Sequence, residues 1–149
     1  MRALMDVYLG IFVTSLLSAT LLPGTSEAAL AALIVLKQAD ITVLVVIATV
    51  GNVLGSCINW AFGRFLLHLR HTRWFPVSAS HYDRAVGWFD RFGKYTLLFA
   101  WVPVVGDPLT VVAGALRVNI VTFLVLVTVG KAARYASIAT ALILWQQGF

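Results

Sequence analysis

Four ionisable side chains, Glu27, Asp107, Lys131 and Arg134, stand inside stretches that are otherwise apolar. An isolated charge of this kind costs about 2.5 to 3.5 kcal/mol in a hydrocarbon setting, so each of the four needs a partner or a polar cavity. Lys131 and Arg134 are three residues apart, which on a helix puts both on one face and aims both into one space. A cationic pair beside broken-helix ends suits a phosphate-bearing ligand, and two carboxylates beside it could exchange protons. The alternative is a buried ionic lock, because paired charges by themselves are weak evidence of function. Asn52 and Asn59, in another apolar run, are further candidates for polar contacts.

The remaining reactive residues exclude several chemistries. Cys57 is the single cysteine, so neither an internal disulfide nor a cysteine metal cage can form. His68 and His71 are spaced i, i+3 with His81 nearby, but no cysteine or carboxylate completes a four-ligand set at a recognised spacing. No metal and no cofactor is therefore expected. No histidine sits beside an acid near the chain breaks described next, so no enzyme is expected either.

What must position the four charges is a pair of such breaks. In Trp101-Val102-Pro103-Val104-Val105-Gly106-Asp107-Pro108 the prolines lack backbone donors and Gly106 tolerates positive φ, so no helix passes unbroken. Pro23-Gly24 makes an earlier break of the same kind. The arms flanking each break are short: Ala28 to Leu36, at about 1.5 Å per residue, covers under half of a ~30 Å hydrocarbon core. Residues 7–36 and 95–116 are thus expected to be re-entrant hairpins, with Pro23, Gly24, Pro103 and Gly106 as hinges at their tips. Residues 41–62 and 120–145 are long enough to cross a bilayer. Gly51 and Gly55 should let another helix approach the first crossing closely, and Gly63-Arg64 should end it.

With 60% apolar residues, 11% charged residues and a mean hydropathy of +0.91, the 149-residue chain is an all-α integral membrane protein of one domain. Its formal charge of +5 would suggest nucleic acid in a soluble protein, but no basic run has the aromatic or motif context for that. The charge gathers instead in residues 64–94, where six Arg and Lys face two Asp. The positive-inside rule puts that loop in the cytoplasm and both termini outside. Within it, a helix over 80–92 capped by Ser80 would place Tyr82, Val86, Phe89 and Phe92 on one face, as a helix lying on the membrane surface requires.

The halves also match each other. Pro23 and Pro103 are 80 residues apart, as are Lys37 and Arg117, while Gly51-Asn52 and Gly130-Lys131 are 79 apart. One crossing per copy makes the repeat inverted, so the hairpins point at each other. The amino-terminal segment, which looks superficially like a signal peptide, is on this reading the first arm of repeat one and is retained.

The run Gly51-Asn52-Val53-Leu54-Gly55 through Trp60-Ala61-Phe62-Gly63-Arg64 resembles the helix pattern of the DedA family, bacterial relatives of the SNARE-associated Golgi or VTT-domain membrane proteins. Leu22-Pro23-Gly24 resembles its first hairpin tip, and Pro103 with Ala113-Gly114 its second. Trp101-x-Pro103-Val104-Val105-Gly106-Asp107 and Gly130-Lys131-x2-Arg134-Tyr135 look like the short YqaA branch. The resemblance implies a bacterial inner-membrane protein of the flippase or scramblase type. Its partners would be membrane lipids, either phospholipid or polyprenyl phosphate, with protons as a coupling ion in some members. A homo-oligomer is compatible with it. The chain departs from the better-studied branch in having Thr25 where an acid commonly follows Pro-Gly, and Ala100 and Gly106 where arginines flank the second proline.

Overall fold

The computed structural model describes residues 1–20 and 24–148, and every described regular element is helical. Six α-helices follow in order: α1 Arg2–Ser18, α2 Thr25–Val35, α3 Ile41–Phe65, α4 Ala79–Phe92, α5 Gly106–Ala115 and α6 Ile120–Gln146. Two 3₁₀ segments, Leu67–Leu69 and Gly93–Phe99, flank α4.

Among the described residues, only α3 and α6 are long and apolar enough to cross a membrane. At 25 and 27 residues they reach about 38 and 40 Å, against about 16 and 15 Å for α2 and α5. Both start on a short polar side chain that caps the first turn: the Asp40 carboxylate accepts from Val43 N at 3.0 Å, and the Asn119 amide oxygen from Val121 N at 2.9 Å. The polarity of α3 is inside out. Thr49, Asn52, Ser56 and Asn59 are buried, whereas Val43, Val46, Val50, Leu54 and Ile58 form an exposed stripe at helical spacing. That is the arrangement expected when the surroundings are lipid rather than water.

The two long helices run antiparallel and meet at their middles, where Asn52 and Lys131 are hydrogen-bonded. An apolar cluster lies to either side of this point. One joins α1 and α2 to the start of α3 and the end of α6, through Ile11, Leu30, Leu44 and Ala139. The other joins the Gly93–Phe99 segment, α4 and α5 to the end of α3 and the start of α6, through Leu97, Leu109, Phe123 and Val127. Packing is reciprocal: α1 lies on α3 and the 3₁₀ segment Gly93–Phe99 on α6, while α5 lies on α3 and α2 on α6.

Unusual backbone conformations recur at one spacing. Gly24 and Val104 both have positive φ, +92° and +68°, and so do Lys37 and Arg117, at +52° and +59°. Each pair is 80 residues apart. Lys37 and Arg117 follow α2 and α5 directly, in the left-handed position that ends a helix. Helix α5 can hold Pro108 because it lies in the first turn, where backbone donors have no intrahelical acceptor.

Close backbone contact joins α5 to α3. A Cβ on Gly63 would collide with the Val111 carbonyl, and one on Gly114 with the Trp60 carbonyl, so each helix offers a glycine to the other. Gly51 and Gly55 admit α1 to the middle of α3, where an added Cβ would lie 2.6 Å from Phe12 O and from Ala19 Cβ respectively.

The structure corrects several local expectations. Helix α3 does not stop at Gly63-Arg64 but continues to Phe65, because glycine at a close helix contact is retained for its size; Arg64 lies over the Trp60 ring, 6.0 Å from its centroid. Helix α4 starts one residue before Ser80, so Ser78 holds the capping position and Ser80 sits in the first turn. The buried face of α4 is Tyr82, Ala85 and Phe89, with Phe92 51% exposed, and it packs on α5 and the Gly93–Phe99 segment. Protein, not a membrane surface, covers that face. The chain entering the Trp101–Pro108 break is a 3₁₀ helix, whereas α1 is a regular helix of 17 residues that ends at Ser18.

Candidate functional site

The site lies where α2 and α5 present their first turns to α6. Glu27 and Asp107 occupy those first turns, where the partial positive charge of a helix N-terminus favours a carboxylate. They are 80 residues apart, a correspondence the sequence reading did not draw. Both bases come from α6. Arg134 Nη2 meets Glu27 Oε1 at 2.7 Å, and Lys131 Nζ stands 3.8 Å from Asp107 Oδ1.

Each base is also tied elsewhere. Arg134 Nη1 donates to the Trp101 carbonyl at 2.8 Å, so one guanidinium holds the first turn of α2 and the break before α5 together. Lys131 donates to Asn52 Oδ1, and Asn52 Nδ2 donates to Ser15 O at 3.0 Å on α1. Lys131 is 3% exposed, so this ammonium depends on its amide and carboxylate partners for stabilisation. Alternation of the acids between α2 and α5 gives each base its own carboxylate.

Asp107, Lys131, Arg134, Asn52, Gly24 and Pro103 line one small cavity of about 10 Å³, room for a single water. Glu27 stands behind Arg134 rather than on the cavity wall, and Gly106 is buried against the Ala100 carbonyl. Pro23 lies outside the described residues.

Two larger cavities adjoin this constriction. One of about 290 Å³ shares Val104 and Asp107 with it and opens toward the loop segment Pro76-Val77-Ser78 and His81; Asn59 lies on its wall. The other, of about 610 Å³, shares Pro103 and Arg134 and is otherwise walled mainly by apolar side chains such as Leu98, Trp101 and Ile138. A space of mixed lining, the constriction and an apolar groove thus share walls in sequence.

Several polar residues at the site had weak signals in the sequence. Tyr135, 1% exposed, donates to Ser26 Oγ at 2.8 Å, and Ser26 Oγ donates to Ser18 Oγ at 3.1 Å, tying α6, α2 and α1. Tyr135 adjoins Arg134 in the chain, which is the one hint of its role. Ser78 and His81 are 2.6 Å apart between Oγ and Nδ1, a local pair one helical turn long that brings the loop to the Asp107 side. The histidines do not gather: His71 instead accepts from Arg70 Nε at 3.0 Å.

Comparison with known proteins adds relatives. The VTT domain matches residues 22–144. Inner membrane protein YqaA of Escherichia coli (strain K12) is 41% identical over 131 residues, covering 88% of this chain and 87% of that protein. An uncharacterized protein of Haemophilus influenzae is 38% identical over 137 residues, covering 85% and 82%. Undecaprenyl phosphate transporter A of Staphylococcus aureus is 30% identical over 99 residues, covering 61% of this chain and 49% of that protein. No solved structure matches the chain.

Proposed function

The chain belongs to the VTT-domain (DedA) family of membrane proteins, and from that premise we propose that it is an inner-membrane lipid transporter of the flippase or scramblase type. It moves a phosphate-bearing headgroup through the cleft between two re-entrant hairpins, residues 7–36 and 95–116. The cargo is a phospholipid or polyprenyl phosphate, and the transporter named for undecaprenyl phosphate among its relatives supports that class.

The observation that carries the reading is the arrangement of the cavities. A space of about 10 Å³ walled by Asp107, Lys131 and Arg134 lies between one of about 290 Å³ and one of about 610 Å³. A headgroup cannot occupy the constriction while both pairs are made, and its phosphate is the group that would replace the carboxylates on Lys131 and Arg134. The apolar groove then holds acyl chains while the headgroup crosses.

An inverted repeat is supported by recurring features that apolar composition alone does not produce. Positive φ at Gly24 and Val104, and again at Lys37 and Arg117, recurs with the acids Glu27 and Asp107 at 80 residues, and the caps Asp40 and Asn119 at 79. The reciprocal packing of α2 on α6 and α5 on α3 agrees with this. With residues 64–94 cytoplasmic, both termini lie outside.

One observation favours a rival reading, a structural protein locked by its charges: the ion pairs are complete and close the centre almost fully. Reconstitution separates the two. Vesicles carrying the purified protein should show faster transbilayer movement of a fluorescent phosphate-bearing lipid than protein-free vesicles. No acceleration across phospholipid and polyprenyl phosphate probes would leave the lock as the better account.

A further inference from the structure

Resting on the transport reading, we propose that the 290 Å³ space beside Asp107 recognises an ammonium group bearing N–H donors, which makes a primary-amine phospholipid the preferred cargo over a quaternary-amine one. The key residue is Asn59. It is 2% exposed, and its Nδ2 donates to Ala19 O at 2.7 Å and reaches Thr110 Oγ1 at 3.3 Å. Those contacts fix which way the amide faces. Its Oδ1 is buried and has no hydrogen-bond partner, and the residue is among those that line the 290 Å³ space. A buried amide oxygen in this position calls for a donor from a ligand.

A second acceptor stands close by. Asp107 stands on the same wall, with Lys131 at 3.8 Å, beyond hydrogen-bond length, and a side chain 27% exposed. The hydroxyl of Thr110 donates to the Asp107 carbonyl at 2.6 Å, and that of Thr20 to Leu17 O at 3.2 Å, so both protons are already engaged. His81 lies at the loop end of the space, held by Ser78, and no lysine or arginine is among the wall residues. An amide oxygen and a carboxylate together suit a cation that can donate, and oppose a phosphate. In a lipid whose ammonium is two carbons from its phosphate, the amine can sit here while the phosphate approaches Lys131 from the adjoining constriction.

A methylation series tests this on the unaltered full chain. Native mass spectrometry in detergent would compare phosphatidylethanolamine, its N-methyl and N,N-dimethyl forms, and phosphatidylcholine. The first three retain an N–H and should bind within about twofold of one another; the choline lipid should bind about tenfold more weakly, the order that one charge-assisted hydrogen bond supplies. Asn59→Leu should remove the step, and if that variant does not fold, the series on the unaltered protein decides. A flat series, or a step that persists in folded Asn59→Leu, overturns the headgroup assignment and leaves transport standing. Absence of binding by every lipid, together with no movement in vesicles, overturns both.

Discussion

The two acid-bearing turns follow the same backbone plan and are held by opposite means. At the first, Glu27 makes a 2.7 Å pair with Arg134, and α2 docks on α6 through the side-chain chain Tyr135, Ser26, Ser18. At the second, Asp107 stands 3.8 Å from Lys131, while α5 is pressed onto α3 backbone to backbone at Gly63 and Gly114. One turn has a tight carboxylate on a side-chain mount, the other a loose carboxylate on a rigid mount. The acids repeat at 80 residues but the bases do not: the positions 79 before Lys131 and Arg134 are Asn52 and Gly55. Identical halves would have placed two like charges in contact at the centre, where Lys131 now meets Asn52. On the proposed inverted repeat, asymmetry of the bases is thus a condition for closing the centre.

This comparison predicts an order of effects. Arg134→Ala removes the tie to Glu27 and to the Trp101 carbonyl and leaves a mostly buried carboxylate unpaired, so it should destabilise most, by about 3 kcal/mol. Lys131→Ala should cost less, about 2.5 kcal/mol, because it removes a desolvated ammonium and leaves Asp107 with partial solvent access. Denaturant unfolding in mixed micelles measures both; a larger loss for Lys131→Ala would invert the assignment of tight and loose sites. Next in size are the mounts. Gly114→Ala forces α5 off α3 and should cost about 2 kcal/mol, whereas Tyr135→Phe deletes one buried hydrogen bond and should cost about 1 kcal/mol. Equal losses at the two positions would erase the distinction between rigid and side-chain mounts.

The smallest effect should fall on the backbone of the second break. Val104 is β-branched with φ +68°, where the first break has Gly24 at +92°. Val104→Gly should therefore stabilise the fold by about 0.5 kcal/mol, relief of a strained conformation being partly offset by the freedom glycine has when unfolded. A loss of stability in the same unfolding assay would mean that the Val104 side chain contributes more by contact than its backbone costs.

Much of this was legible in the sequence because membrane segments announce themselves by length and polarity. The crossings, the breaks at Gly24 and Pro103, and four charges that needed partners could all be read from residue types. Partner choice could not. Arg134 was open to either acid until the fold placed Glu27 beside it, since spacing along α6 says nothing about which of α2 and α5 lies nearer. The true face of α4 was also hidden: Phe92 fits the apolar stripe by periodicity, yet the surface of α5 and the 3₁₀ segment ends before it. Asn59 was singled out as polar in an apolar helix, but its unpaired oxygen depends on where Ala19 and Thr110 fall, 40 and 51 residues away.

Function on the present account turns on the ion pairs opening to a headgroup, and Lys131→Ala in reconstituted vesicles tests that most directly. With a variant that elutes and unfolds as a folded protein, the initial rate of transbilayer movement of a fluorescent phosphate-bearing lipid should fall at least about tenfold from the wild-type rate, as expected for loss of a charged hydrogen bond to phosphate. A folded Lys131→Ala protein that moves the lipid at the wild-type rate would contradict the account and leave the charges as a lock.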